Sequence, residues 1–144
     1  MPSIIQQIDV GALKAGDQLP EYEKQAITKV QLVQYAGASG DFNPLHTDDA
    51  FAQSIGMNGV IAHGMLIMGF LGEYVMQLVG DRAFVSQFSM RFGAMTVPGD
   101  QITCSGIVES VVNGEATCSL RAVNQTGKTV GSGQVKFIKR EEIG

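Results

Sequence analysis

Two short segments hold the residue types that can move a proton. Residues 39–46 read Ser39-Gly40-Asp41-Phe42-Asn43-Pro44-Leu45-His46, with a carboxylate and an imidazole five positions apart. No regular helix runs through them. Gly40 breaks it, and Pro44 drives Asn43 out of the helical backbone region. A stiff, irregular loop is a common carrier of reactive groups. Asp41 accepts a proton when ionised, and His46 gives or takes one near neutral pH. Further along, His63-Gly64-Met65 sets a glycine at the start of a long apolar stretch. If that stretch is a helix, the Gly64 N–H lacks an intrahelical acceptor and can meet an anionic oxygen. The two segments together point to a site that moves protons beside a carbonyl. No metal is expected, because His46 and His63 are the only histidines and zinc wants more ligands at better spacing.

The elements that must hold these segments follow from the pattern of the chain. Residues 1–20 are a lead-in ending in Gly16-Asp17-Gln18-Leu19-Pro20. Residues 21–28 read as a strand anchored by Tyr22 and Ile27. Thr28 is the expected N-cap of a helix over 29–38, where Val30, Val33 and Gly37 share a face beside Leu32 and Tyr35. Thr47-Asp48-Asp49 offers a cap and an acidic first turn for a short helix through Ser54. Residues 65–79 are apolar nearly all round, as a core helix is, and too short for a membrane span of about 20 residues. Some of Gly64, Gly69, Gly72 and Gly80 are expected where another backbone comes very close.

From Ala83 onward the periodicity becomes that of strands, over 84–95, 101–112, 115–123 and 129–138. Phe84, Phe88, Met90 and Phe92 carry the first alternation. Val97-Pro98-Gly99-Asp100, Asn113-Gly114 and Gln125-Thr126-Gly127 read as turns. The expectation is one α+β domain over 1–144, an antiparallel sheet wrapped around a long central apolar helix. About five strands leave open edges, which a second copy can cover. A homodimer is therefore expected.

Composition narrows the partners. The 144-residue chain carries a net charge of −4 and has a pI near 5.0, which disfavours nucleic acid. No long basic run supports membrane binding, and the polar first ten residues lack the basic start and apolar run of a signal peptide, so a cytoplasmic setting is expected. With Asn113-Gly114 as a two-residue turn, Cys104 lies opposite Val123 and Cys118 opposite Glu109. The thiols are then out of register and act as small buried hydrophobes.

The runs Tyr35-Ala36-Gly37-Ala38-Ser39-Gly40-Asp41-Phe42-Asn43-Pro44-Leu45-His46 and Ile61-Ala62-His63-Gly64-Met65-Leu66 resemble the MaoC-like, or hydratase 2, family of hotdog-fold proteins. The likeness extends from about Gly11 to Lys139. It also takes in Gly16 to Pro20 and the segment from Met90 to Asp100. Among family members, the chain is similar to single-hotdog dehydratases of the type used as the B subunit of actinobacterial hydroxyacyl-ACP dehydratase. The resemblance implies the hotdog fold, a dimeric unit, and reversible, R-specific hydration of a trans-2-enoyl thioester. It implies that Asp41 and His46 hold and activate a water and that Gly64 supplies the oxyanion N–H. CoA or acyl carrier protein is then the substrate's carrier, and no other cofactor is implied.

Around that core, four residues are candidates for the substrate side. Asn43 is expected mainly to shape the loop. His63 is expected to line the site or to be structural. Met57 and Met65 are flexible enough to suit variable acyl chains. The tunnel is expected along the Met65 helix and the segment 51–60. Two rival readings remain: a hotdog acyl-CoA thioesterase, which must aim water at C1, and a non-catalytic subunit that binds acyl chains or stabilises a partner, including as half of a heterodimer.

Overall fold

The computed structural model describes residues 5–141, so the first four residues of the lead-in and the last three of the expected 1–144 domain lie outside the described residues. Five strands form one antiparallel sheet: β1 (Gln18–Glu23), β2 (Ala83–Phe92), β3 (Thr103–Val112), β4 (Glu115–Val123) and β5 (Thr129–Lys139), in the order β1-β3-β4-β5-β2. Three helices accompany them: α1 (Lys29–Ser39), α2 (Asp49–Ser54) and α3 (Gly64–Val79). Leu66, Phe70, Leu71, Tyr74 and Leu78 of α3 are buried with Cys104, Cys118, Leu120 and Val135 of the sheet. This is the expected α+β arrangement, with the sheet around the long helix.

Local chemistry sets most boundaries. Thr28 caps α1 by accepting from the Gln31 N–H at 3.1 Å, and Asp48 caps α2 by accepting from the Phe51 N–H. Gly40 ends α1 at φ 77°, in the left-handed region that glycine enters freely. The β1 strand starts earlier than expected, at Gln18, because residues 18 and 19 pair with Ile107 and Gly106 of β3.

Two bulges move side chains to faces that strict alternation does not give. In β2 the register shifts between Val85 and Gln87. Phe88 pairs with buried Val135, but Phe84 pairs with half-exposed Ile138 and lies under the Arg140 guanidinium. Phe84 therefore leaves the face it was expected to share with Phe88. In β3 the shift between Val108 and Ser110 sets Cys104 against Ala122 and Cys118 against Val108, each one residue from the expected pairing. An extra residue in one strand inverts the parity beyond it. Both thiols are free and buried, and burial pushes them up to about 12 and about 11.

Two helix expectations are corrected. On α1 the core takes Leu32 and Ala36, while Val30 and Val33 stand 66% and 51% exposed. Apolar spacing offered two faces there, and the fit of Leu32 into the core chose one. On α3, Met65 and Met76 are exposed, and a Cβ added to Gly69 or Gly72 would meet nothing within 4 Å. Close backbone approach occurs in the sheet instead. A Cβ on Gly93 would stand 2.5 Å from the Thr129 carbonyl oxygen.

A polar knot joins α3 to β1. Lys24 Nζ lies 2.6 Å from Glu73, the Tyr22 hydroxyl donates to Glu73 at 2.8 Å, and Gln77 donates to Tyr22 at 3.1 Å. Burial works against the Glu73 carboxylate, but the hydrogen bonds from Lys24 and Tyr22 outweigh it and hold Glu73 below its ordinary value. A depressed carboxyl stabilises the fold above its unfolded value of about 4.3, and that contribution fades as pH falls through the lower folded value. Glu73→Gln is expected to lower stability at pH 7 by about 1 kcal/mol, a figure that allows for the group's partial exposure. Urea denaturation should show the gap from the unaltered protein closing as the pH falls through the lowered folded value.

Candidate active site

The loop after α1 is built by its own side chains. Ser39 Oγ accepts from the Asp41 N–H at 3.1 Å, Asp41 Oδ1 accepts from the Asn43 N–H at 3.3 Å, and Asn43 Oδ1 accepts from the Leu45 N–H at 3.0 Å. Pro44 then opens a single 3-10 turn, Pro44–His46, with Asn43 as its cap. Asn43 thus shapes the loop, as such side chains do when they bond their own backbone two residues on.

The strap at Ile61-Ala62 locks this loop to the rest. The Ile61 N–H donates to the Leu45 carbonyl at 3.2 Å, and the Ala62 N–H donates to the Thr96 carbonyl at 2.8 Å. Asp49 steadies the approach to it, accepting from the Val60 N–H at 3.0 Å while Lys29 binds its other oxygen at 2.8 Å. The Lys29 ammonium and the Val60 N–H hold the Asp49 carboxyl below its ordinary range.

His46 is oriented by this strap. Its Nδ1 lies 2.8 Å from the Ile61 carbonyl oxygen. A carbonyl only accepts, so Nδ1 carries a proton and, in the neutral ring, Nε2 carries the lone pair. Nε2 faces Asp41 Oδ2 across 3.8 Å, too far for a direct bond and close enough for one water to touch both. Asp41 divides its work: Oδ1 holds the turn and Oδ2 faces the imidazole. The carboxylate is half exposed, while His46 is nearly buried. The two side chains are turned toward each other.

Gly64 opens α3, and His63, at the N-cap, gives it no side-chain cap. The Leu66 N–H turns back to the His63 carbonyl at 3.1 Å, whereas the Gly64 N–H, at the first helical position, has no acceptor within the helix. A pocket of about 190 Å³ lies against His46 and Gly64, walled by Ile67, Phe92, Met95 and Val130. The glycine matters sterically as well, since a Cβ there would stand 3.0 Å from the Phe92 ring. The structure thus faces Asp41 toward His46 and sets His46 and Gly64 on one pocket. Asp41 itself, like Asn43, His63, Met57 and Met65, is not on that pocket's wall. Met65 is 54% exposed, and Met57 sits in the loop after α2. The expected 51–60 wall is replaced by the segment after β2. Gly93 brings it there, because its N–H and that of Ala94 donate to Val130 and Thr129 at 2.9 and 3.0 Å. A glycine closing a strand pattern was the available signal, since it marks close backbone approach.

Asp41, His46 and His63 offer ligand-type atoms within 4.8 Å of one another. The two imidazoles are stacked, with centroids 3.8 Å apart and planes at 23°. Ring lone pairs lie in the ring planes, so two stacked rings do not converge on one ion at the roughly 2.0 Å that zinc requires. The donor set does not suit a metal.

Residues 13–130 match the MaoC like domain. The chain belongs to that family. It is 32% identical over 109 residues to "Fatty acid synthase beta subunit TOXC" of Cochliobolus carbonum, a stretch that is 74% of this chain and 5% of that subunit. The chain thus spans a small part of that relative's length. It is also 32% identical over 107 residues to the (R)-specific enoyl-CoA hydratase of Aeromonas caviae, covering 72% of this chain and 80% of that protein. In three dimensions it is similar to unliganded R-hydratase PhaJ1 from Pseudomonas aeruginosa, with a TM-score of 0.86 and 28% identity over 96% of this chain and 89% of that one. The MaoC-like fold and the long helix of the hotdog arrangement are therefore those of this chain. Among the described residues, no helix is long and apolar enough to cross a membrane.

In this MaoC-like domain the Asn43 carboxamide is a structural cap, which gives a clean expectation. Asn43→Ala should cost about 1 kcal/mol in thermal or chemical unfolding, as cap removal does. Asn43→Asp, which keeps the accepting oxygen, should recover most of it.

Proposed function

We propose that this chain is an R-specific enoyl-thioester hydratase and 3-hydroxyacyl-thioester dehydratase, acting on an acyl-CoA or acyl carrier protein substrate. The observation that carries the reading is the 3.8 Å approach of Asp41 Oδ2 to His46 Nε2, which lets one water lying to the side bond both, with His46 on the same pocket as the open helix start at Gly64. Family membership and the hydratase relatives support it.

The steps balance without a further reagent. Asp41 and His46 hold one water over C3 of the bound enoyl chain. As the water oxygen bonds to C3, its proton passes to His46 Nε2, which is free because Nδ1 is committed to Ile61. The C2–C3 π electrons move toward the thioester, and the oxygen that gains charge is met by the Gly64 N–H. His46 then returns the proton to C2 on the same face. Dehydration is the reverse. General acid–base help of this kind is worth about 10²–10⁴ in rate, and a lost oxyanion donor costs roughly 3–4 kcal/mol. A metal or other cofactor has no assigned role in this scheme.

The proposal includes a second copy paired along β2. That strand is bonded on one side to β5 and, among the described residues, has no strand on the other. Phe84, Val85 and Phe92 along it are 55%, 38% and 56% exposed. An open edge with apolar side chains on both faces is a surface that proteins usually cover. A related hotdog subunit is the alternative occupant of that edge, and sedimentation of the purified chain alone separates the two, a dimer supporting self-pairing and a monomer the heterodimer.

Asp41→Asn and His46→Gln should each cut crotonyl-CoA hydration by at least about 10²-fold while circular dichroism stays that of the unaltered protein. Loss of the conjugated enoyl absorbance measures it. Unaltered protein that leaves this absorbance unchanged across several chain lengths, on both CoA and carrier protein, would sink the proposal. Thiol release from saturated acyl-CoA would favour a thioesterase instead.

A further inference from the structure

One buried atom beside the reacting groups has no partner. His63 is 2% exposed, and its Nδ1 is sealed from solvent without a hydrogen bond. Leaving a buried polar atom unsatisfied costs about 1–3 kcal/mol, so a histidine there calls for a reason. The other nitrogen supplies half of it. Nε2 lies 3.1 Å from the backbone carbonyl oxygen of Asp41. The carbonyl only accepts, so the proton sits on Nε2 and Nδ1 carries a bare lone pair. The ring face supplies the other half. It lies against the His46 ring at 3.8 Å and 23°, and the edge contact with Tyr35, at 4.8 Å and 70°, backs it from α1.

We infer that His63 is a positioning residue, acting through Asp41 and His46 and not on the substrate. Its face sets the plane of the His46 ring, while its Nε2–H pins the backbone of Asp41. The separation between Asp41 Oδ2 and His46 Nε2 is thereby held from both sides. His63 also directly precedes Gly64, so one residue ties the acid/base pair to the oxyanion donor. Phenylalanine would keep the ring and lose the donor. Glutamine would keep the donor and lose the ring. Histidine has both, and the unpartnered Nδ1 is what remains when both are used. Of the two roles expected for His63, lining the site or structural, this inference takes the second.

The inference rests on the hydratase reading, and its test separates the two. His63→Phe and His63→Gln are expected to lower kcat for crotonyl-CoA between about 10- and 100-fold, as small misplacements of reacting groups do, with KM little changed. Added to a variant that already carries both Asp41→Asn and His46→Gln, either substitution should cause no further loss of residual rate, because a residue acting through those two has nothing left to position. Unchanged kcat in both single variants would overturn the inference. So would an equal loss in the Asp41→Asn, His46→Gln background. Imidazole nitrogen NMR on the unaltered protein provides a readout independent of turnover. A proton on His63 Nε2 supports the clamp even if no enoyl thioester is hydrated, an outcome that would remove only the hydratase reading. A proton on Nδ1 alone would remove the clamp and leave the hydratase reading standing. Should a variant fail to fold, that tautomer still decides.

Discussion

The hydrogen bond from His46 Nδ1 to the Ile61 carbonyl, 2.8 Å long, is the constraint on which the site depends. It selects the tautomer, aims Nε2 at Asp41, and joins two segments that are distant in sequence. Without it the imidazole could turn, and the carboxylate would face no defined partner. The backbone around it is arranged to keep the carbonyl in place. Ile61 bonds back to Leu45, Ala62 bonds to Thr96, and Val60 is held by Asp49. Second-layer bonds of this kind give a reactive group a fixed direction at little cost during turnover.

The long helix serves this site through its beginning. Its buried face is fixed by large apolar side chains packed on the sheet, which leaves the first turn at a defined height beside His46. Gly64 can then offer an N–H with no side chain in the way of Phe92. The pocket beyond is made largely by the chain leaving β2, where Gly93 lets two backbones approach more closely than any side chain would allow. Stability and site geometry therefore share the same contacts.

Much of this was legible in order along the chain. Thr28, Asp48, Gly40 and Asn113-Gly114 act locally, by capping or by turn geometry, and each sits where its residue type indicated. The Asp41 to His46 loop was legible for the same reason, since its turn is made of bonds between residues two apart. The bulges in β2 and β3 were not, because a parity change leaves the hydrophobic count almost untouched. Nor was the side of α1 that is buried, where Val30 and Val33 are as apolar as Leu32. The role of His63 was also hidden, because its two partners, Asp41 and His46, lie far back in the sequence and meet it through space.

By itself, the sequence determined the local chemistry: a capped, proline-stiffened loop with a carboxylate and an imidazole, a glycine at the head of an apolar helix, and strands separated by turns. Those features depend on neighbours within a few residues, whose geometry the peptide bond and side-chain type largely dictate. Only the tertiary structure decided which oxygen of Asp41 faces which nitrogen of His46, that His63 stacks behind them, and that the pocket wall comes from the segment after β2. Those relations arise from packing between parts of the chain separated by many residues, where a shift of one position in a strand exchanges one face for the other.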